Sequence, residues 1–338
     1  MKQLATDSTL NINWQGAGGF TALNYACSEG RLSVVQFLLT LSMIDVNKPS
    51  NFGFTPFLVA CFNGSKEMVS LFLADKRTDV NIPMNTEATP FFMACQNGHK
   101  EVVSLLLADM RVDVNKPTNE GCTPFNMACQ NGHKEVVSLL LADSRIDVKK
   151  PNRNQASPLF VASQKGRLSV VQLLLASGRE VDTKLKTTVS PEAWSYKTAA
   201  EMARFQGSRA KEAGESDEDY LKSKQNGPII AALLDSFNLD PATTSQRLRE
   251  LPEFRDSFIS DLFALVVFLC DDFLTPCAAS SSITFHKAAR FFQIAQSLPI
   301  ELQMVLCNRA FGVGKDIVLT KLSEPAFKRL GRLLTRSD

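Results

Sequence analysis

The sequence has no excess of charge of either sign. It contains 37 Lys and Arg residues against 35 Asp and Glu residues, which gives a formal net charge of +2 over 338 residues. Nucleic acids and anionic membrane surfaces are usually bound through the summed field of many unbalanced cations. We therefore expect no nucleic-acid partner.

The sequence also lacks a long hydrophobic run. Its longest apolar stretch, residues 262–270, is about half the length that a helix needs to span a bilayer. Residues 1–20 have neither the basic start nor the continuous apolar segment of a secretory signal. We therefore expect a soluble protein without membrane insertion.

Cysteine is sparse, and its placement is periodic. Four of the eight cysteines, Cys27, Cys61, Cys95 and Cys129, stand 34 residues apart. A residue that recurs in this way suits packing, because cysteine is among the most often buried residue types. Thiols that serve packing are typical of a reducing compartment. This predicts a cytoplasmic protein, with the nucleus as the alternative.

What the sequence does contain is repetition. The sixteen residues ACQNGHKEVVSLLLAD occur at 94–109 and again, unchanged, at 128–143. Around them a Thr or Ser recurs every 34 residues, at positions 21, 55, 89, 123 and 157. A period of this length is typical of a solenoid, in which each unit buries its apolar face against its neighbours.

The sequence of one unit predicts two helices followed by a turn. Thr55 is a good N-cap, and Pro56 suits the first helical position because proline has no N–H to leave unpaired. Gly64 can supply the left-handed residue that ends this first helix. A second amphipathic helix follows, and the segment TDVN at 78–81 leads to a turn before the next Thr-Pro.

These units resemble the ankyrin repeat. The family signature T-P-L-H-x-A-x-x-x-G-H is matched by TPFFMACQNGH and TPFNMACQNGH. The resemblance implies an all-α ankyrin solenoid with β-hairpin-like turns, and a non-enzymatic scaffold that binds a partner protein on the concave face lined by hairpin tips and first helices. The sequence departs from the signature where its first His should stand, at Asn24, Leu58, Phe92, Asn126 and Phe160.

The period defines the domain organisation that we predict. Residues 1–15 form an N-terminal extension, and residues 16–240 form the array. The array includes a degenerate sixth unit, with helices at 197–207 and 228–237 and inserted loops near 183–196 and 208–220. Residues 241–338 lose the period but stay amphipathic, which predicts a C-terminal helical domain.

The recurring polar residues could instead be metal ligands. His99 with Cys95 and Glu101, and His133 with Cys129 and Glu135, are the candidate sets. A structural zinc site needs about four convergent ligands, usually in close Cys or His pairs, and no two cysteines have that spacing. A catalytic cysteine is singular, whereas these are serial. We therefore expect no metal, no cofactor and no enzymatic activity.

The exposed positions that differ between units are candidates for partner binding. Aromatic residues are concentrated at the tips of the first two units, and aromatic anchors often dominate interface energies. Gln-Asn pairs at the ends of the first helices could bond a peptide backbone. The predicted partner-binding residues are Phe20, Asn51, Phe52, Phe54, Phe62, Asn63, Asn85, Gln96, Asn97, Gln130 and Asn131.

The asparagines of the DVN segments have two possible roles. Asn47, Asn81 and Asn115 each follow a leucine by eight residues, and in animal ankyrin proteins such asparagines can be hydroxylated by an Asn hydroxylase. The alternative is that they cap turns. The resemblance leaves both readings open.

A second resemblance lies in the C-terminal hundred residues. The segment LPIELQMVLCNRAF at 298–311 resembles the opening of an F-box, which docks on the Skp-type adaptor of ubiquitin ligases. This implies a second function, that of a substrate receptor, with Leu298, Pro299, Leu302 and Leu306 as adaptor contacts. A structural Leu-Pro helix start is the alternative.

Overall fold

The computed structural model describes residues 11–188, 197–212 and 215–251. The chain divides into two units, Met1–Ser245 and Gln246–Asp338. Among the described residues the regular elements are helices and no strand occurs, which confirms the all-α prediction. The α-helices are α1 (Ala22–Ser28), α2 (Leu32–Leu39), α3 (Pro56–Phe62), α4 (Lys66–Ala74), α5 (Pro90–Gln96), α6 (Lys100–Ala108), α7 (Pro124–Asn131), α8 (Lys134–Leu141), α9 (Pro158–Gln164), α10 (Leu168–Ala176), α11 (Ala199–Ser208), α12 (Asp217–Leu239) and α13 (Pro241–Arg249).

The first helix of a unit begins as the sequence predicts. The Thr55 hydroxyl accepts a hydrogen bond from the Leu58 N–H at 3.1 Å, and Pro56 occupies the first turn of α3. Gly64 follows the helix with a φ of +72°. Glycine adopts this left-handed conformation without the steric cost that a side chain would add, so α3 ends there and the second helix can start at once.

The helix pairs stack along the chain. Each first helix packs against the first helix of the next unit, from α1 through α3, α5, α7 and α9 to α11, and the second helices pack likewise from α2 to α10. Phe57 and Phe72 are fully buried between α3 and α4, with ring centroids 5.9 Å apart. Each unit thus completes the core of its neighbour, as the 34-residue period predicts.

The turns between units are hairpin-like and join edge to edge. Within one turn, the Ser50 N–H donates to the Phe54 carbonyl at 3.0 Å. Between turns, the Asn85 N–H donates to the Phe52 carbonyl at 3.2 Å, and the Asn119 N–H donates to the Thr86 carbonyl at 3.1 Å. One backbone bond therefore connects each tip to the next.

The sixth unit exists but differs from the prediction. Its second helix, α12, begins at Asp217 and not at residue 228, so the acidic segment is a helix start where we expected a loop. Ser216 caps α12 by accepting from the Asp219 N–H at 3.1 Å, and three acidic residues in the first turn favour the positive end of the helix. Pro228 lies inside the helix.

The insertion before the sixth unit starts later than predicted. The Thr187 N–H donates to the Lys197 carbonyl at 3.3 Å, which is the bond that Ser50 makes to Phe54 in an ordinary turn. The Thr188 N–H donates to the Asn154 carbonyl, as other tips do. Residues 183–188 therefore follow the usual course of a turn.

The predicted N-terminal extension is partly incorporated into the array. Asn13 Oδ1 accepts from the Asp45 N–H at 2.8 Å, and Gln15 Nε2 donates to the Pro49 carbonyl at 2.9 Å. Toward the other end, the Ser245 hydroxyl donates to the Leu175 carbonyl at 2.8 Å. The domain boundaries at 16 and 241 otherwise remain predictions.

Candidate partner-binding face

The hairpin tips and the first helices line one side of the stack, which we call the inner face. It carries an aromatic patch of Phe20, Tyr25 and Phe52. The rings of Phe20 and Tyr25 lie 5.6 Å apart, and a Cβ placed on Gly18 would lie 3.2 Å from the Phe20 ring and 3.9 Å from the Phe52 ring. The exposed fraction is 57% for Phe52 and 47% for Tyr25. Exposed rings grouped in this way are characteristic of interaction surfaces.

Tyr25 was not predicted from the sequence. The equivalent position in later units holds Val59, Met93, Met127 and Val161, of which Met127 is partly buried and the other three are buried. A phenol at a position that is otherwise aliphatic was the available signal. Tyrosine at a partly exposed position offers both apolar area and a hydroxyl, which is why it is common in interfaces.

Phe62 lies at the opposite end of α3 from Phe52. Its side chain is 42% exposed. Since α3 has seven residues, about 10 Å separates its two ends at the usual helical rise. Phe52 and Phe62 can therefore contact one partner surface without touching each other.

Phe54 differs from the expectation of an exposed ring. It is partly buried and packs against an apolar cluster of Leu58, Ala88, Phe92 and Met93. The cluster includes Phe92 and Met93 from the next unit's first helix, so the Phe54 ring fills space beneath the tips. Phe54 therefore contributes to packing as well as to the inner face.

The predicted contact asparagines bind neighbouring units. Asn97 Nδ2 donates to the Phe62 carbonyl at 2.9 Å, and Asn131 Nδ2 donates to the Gln96 carbonyl at 2.8 Å. Asn63 makes longer bonds of 3.4 Å to the carbonyls of Cys27 and Ser28. At the tips, Asn85 Nδ2 donates to the Asn51 carbonyl at 3.0 Å. These amides are thus used partly for stacking.

Gln96 and Gln130 are half-buried at the ends of α5 and α7. Their backbone carbonyls accept from the next unit, but none of the hydrogen bonds in the described part of the chain involves their side-chain amides. These two amides remain the best candidates for bonding a peptide backbone.

The histidines connect adjacent units. His99 Nε2 donates to the Phe62 carbonyl at 2.7 Å, and His133 Nε2 donates to the Gln96 carbonyl at 2.8 Å. Arg167 takes the same place in the next unit, where its Nε donates to the Gln130 carbonyl at 3.0 Å. Within residues 11–188, 197–212 and 215–251, no group of three or more His, Cys, Asp or Glu side chains could hold a metal ion.

The serial cysteines are packed in the core. Burial raises the pKa of the Cys27 thiol to about 12. Burial also raises the pKa of Cys95, and its neighbours Cys129 and Cys61 raise it by smaller amounts. A thiol held in its protonated form is a poor nucleophile. Cys27, Cys61, Cys95 and Cys129 are fully or almost fully buried, and all four are free thiols.

A second set of asparagines, the Asn ladder (Asn13, Asn47, Asn81 and Asn115), joins units away from the tips. Asn47 Nδ2 donates to the Arg77 carbonyl at 2.7 Å, and its Oδ1 accepts from the Asp79 N–H at 2.9 Å. Asn81 and Asn115 make the same pair of bonds one unit further on. The side-chain amides of the Asn ladder therefore bridge two units.

The four predicted adaptor contacts, Leu298, Pro299, Leu302 and Leu306, lie outside the described residues. No helix in the described ranges has both the length and the hydrophobicity that crossing a bilayer requires.

Stacked helix pairs joined by hairpin-like tips define a helical repeat solenoid. A family model described as "Ankyrin repeats (3 copies)" matches residues 40–118 and 91–185, and one described as "Ankyrin repeat" matches residues 18–51. The chain is an ankyrin-repeat protein. The structure adds a sixth helix pair, α11 and α12, beyond the matched residues.

A solved structure titled "Crystal Structure of EF0377 an Ankyrin Repeat Protein" is 22% identical to this chain, with a TM-score of 0.49, and the match covers 66% of this chain and 98% of that chain. The search of curated proteins found no match.

Proposed function

We propose that this protein is a non-enzymatic scaffold that binds a partner protein through the inner face, which is the concave face of an ankyrin array, and that binding is centred on the first three units. The observation that carries the proposal is the exposed aromatic patch. Phe52 and Tyr25 hold about half of their surface in solvent, although aromatic rings are normally stabilised by burial. A partner that covers these rings would remove that apolar area from water.

The experiment is site-specific cross-linking in the native host. The full chain carries a photo-reactive phenylalanine analogue at position 52, at position 62, or at position 70, where Ser70 is exposed on α4 away from the inner face. We expect the same cross-linked partner from positions 52 and 62 and none from position 70. A partner captured only from position 70 would refute the proposal.

The sequence also favours a second candidate function, that of a substrate receptor of a ubiquitin ligase. It rests on residues 298–311, and the inner face would then select the substrate. The test is recovery of an Skp-type adaptor by the full chain from the host. We expect Leu302→Glu to abolish recovery without changing the melting temperature of the array, and failure of the unmodified chain to recover an adaptor would remove this candidate.

The free, buried thiols support a reducing compartment, and we propose the cytoplasm as the location, with the nucleus as the alternative. Asn47, Asn81 and Asn115 remain candidate hydroxylation sites. Peptide mapping of the protein from its host by mass spectrometry tests this, because a hydroxylated asparagine is about 16 Da heavier.

A further inference from the structure

Charge is distributed unevenly along the array, although the whole chain is nearly neutral. Residues 148–188 contain eight Lys and Arg against two Asp and Glu, whereas residues 11–147 contain ten Lys and Arg against thirteen Asp and Glu. The fifth unit and the turn after it are therefore strongly basic, while the first four units taken together are slightly acidic.

Some of these cations are already paired within the array. Lys149 Nζ lies 2.6 Å from Glu180, and Arg167 lies 2.8 Å from Asp219. The guanidinium of Arg179 donates to three backbone carbonyls, including that of Ile146 at 2.7 Å. These three side chains stabilise the stack and are not available to a ligand.

Other cations lie in the turns that precede α9 and α11, and we call Lys150, Arg153, Lys186 and Lys197 the basic end. Of these, Lys197 Nζ also lies 5.5 Å from the centre of the Phe205 ring. Arg153 is exposed at a tip, and its N–H makes the tip-to-tip bond to the Glu120 carbonyl at 3.1 Å. The equivalent tip residues in earlier units, Asn51, Asn85 and Asn119, are uncharged.

The residue before each first-helix Thr or Ser shows the same change along the array. In chain order this position holds Phe20, Phe54, Ala88, Cys122, Ala156 and Lys197. Ala88 and Ala156 are buried, so the partly exposed side chains at this position are aromatic in the first two units, a thiol at Cys122 and cationic in the sixth unit. Two different chemistries at two ends of one face imply a ligand that also has two chemically different ends.

Two carboxylates, those of Glu201 and Glu120, reduce the positive electrostatic potential at the basic end. Glu201 has a pKa below its usual range, chiefly because it accepts a hydrogen bond from the Thr198 N–H, and Lys186 and Lys197 are close enough to lower it further. Glu120 is exposed on the neighbouring tip. No carboxylate among the described residues forms an ion pair with Lys150 or Arg153.

The distance between the aromatic patch and the basic end determines how long a ligand must be to contact both. Phe52 and Arg153 occupy equivalent tips three units apart. Packed helices lie about 10 Å from each other, so about 30 Å separates the two tips. An extended polypeptide covers that distance with about nine residues.

We propose that the inner face binds an extended, acidic polypeptide segment: an apolar residue contacts the aromatic patch, and two or more Asp or Glu residues about nine positions away contact the basic end. This rests on the proposed function, and it specifies the partner's chemistry.

A nucleic acid fits the same face less well. It carries a negative charge at every nucleotide, and Glu120 is exposed on a tip between the two ends. Its carboxylate would repel a uniformly charged backbone, whereas Glu87 is already paired with Lys116 at 3.2 Å. A polypeptide can place its acidic residues at one end alone.

The test is selection of sixteen-residue peptides from a random phage-displayed library on the full chain. We expect enrichment of peptides in which an aromatic or aliphatic residue stands about nine positions from a group of Asp or Glu. The affinity of a synthetic copy is then measured by fluorescence anisotropy at 50 and 300 mM NaCl, and we expect it to fall with salt.

Variants that remove one charge test whether the basic end attracts the acidic part of the peptide. Arg153→Gln should weaken the selected peptide about two- to fivefold, and Glu120→Gln should strengthen it about twofold, since partly exposed charges contribute up to about 1 kcal/mol. Lys66→Gln, on α4 and away from the inner face, is the matched control and should change nothing. Thermal unfolding of each variant confirms that it folds.

Several results would overturn the inference. Selected peptides that depend on Phe52 but show no acidic enrichment and no response to Arg153→Gln would refute it and leave the proposed function intact. Peptides that respond to neither Phe52→Ala nor Arg153→Gln would refute both, and a selection without enriched peptides would refute the inference. Binding of a twenty-nucleotide single-stranded DNA at 150 mM NaCl, lost in Arg153→Gln, would assign the basic end to nucleic acid instead.

Discussion

Asn81 and Arg111 are joined across the boundary between two units, because Asn81 Nδ2 donates to the Arg111 carbonyl at 2.7 Å. Arg111 in turn donates from its guanidinium to the Leu73 carbonyl at 2.9 Å, at the C-terminal end of α4. The same two contacts recur one unit further on through Asn115 and Arg145. Side-chain to backbone bonds of this kind tolerate sequence change in the partner unit, since every residue supplies a carbonyl.

Replacing Asn81 should weaken the stack. Asn81→Ala removes the bond to Arg111 and the bond from the Asp113 N–H at 2.8 Å, and we expect a loss of about 1–2 kcal/mol in the free energy of urea unfolding. The matched control is Asn119→Ala, because Asn119 makes a single long bond of 3.4 Å at an exposed tip. Equal losses in the two variants would show that the Asn ladder has no special role.

Alanine substitutions of Phe54 and Phe62 should distinguish a ring that stabilises the fold from a ring that binds the partner. Phe54→Ala removes a ring that packs on the apolar cluster, so we expect a loss of about 2 kcal/mol in unfolding free energy. Phe62→Ala removes a ring that is 42% exposed, and we expect a change below about 0.5 kcal/mol. Binding of the partner should weaken by more than about 1 kcal/mol in Phe62→Ala. A large stability loss in Phe62→Ala would make that ring structural.

Acid should weaken the pairs between Asp and Arg at the ends of the second helices. The Arg77 guanidinium beside Asp75 holds the pKa of that carboxyl below its usual range, and Arg111 does the same for Asp109. Because these pKa values are lower in the folded state, the pairs stabilise fully above about pH 4 and lose their effect as the pH falls through the folded-state values.

The matching variant is Asp75→Asn with Asp109→Asn. We expect it to be less stable than the unmodified protein at pH 7, by up to about 1 kcal/mol because solvent screens these partly exposed pairs. The difference should shrink when urea unfolding is repeated at pH 3.5. A difference that stays constant between the two pH values would contradict the assignment.

Much of the stack could be predicted because its signals are local. Thr55 and Pro56 determine where α3 begins, and Gly64 ends it without reference to the rest of the chain. The start of α12 could not be predicted in this way. Asp217 belongs to an acidic segment that is typical of a loop, and its helical state depends on the Ser216 cap and on the Asp219 ion pair with Arg167, which is distant in sequence.

Which residues of the inner face are exposed was only partly predictable, because exposure also depends on contacts with residues that are distant in sequence. Phe52 and Phe54 stand two residues apart in one turn, yet one ring is exposed and the other packs on the next unit. The first histidine of the family signature is absent from these units, and at two of its positions an asparagine supplies a side-chain hydrogen bond in its place. Asn24 Nδ2 donates to the Phe54 carbonyl at 2.9 Å and Asn126 Nδ2 donates to the Lys150 carbonyl at 3.1 Å, whereas Leu58 is simply buried.

The most direct test of the whole account is urea unfolding of His99→Ala with His133→Ala, in EDTA and in added zinc. If these histidines hold adjacent units through the Phe62 and Gln96 carbonyls, the double variant loses about 2 kcal/mol, and the loss is the same with chelator and with metal. Zinc that stabilises the unmodified protein but not the variant would contradict the account.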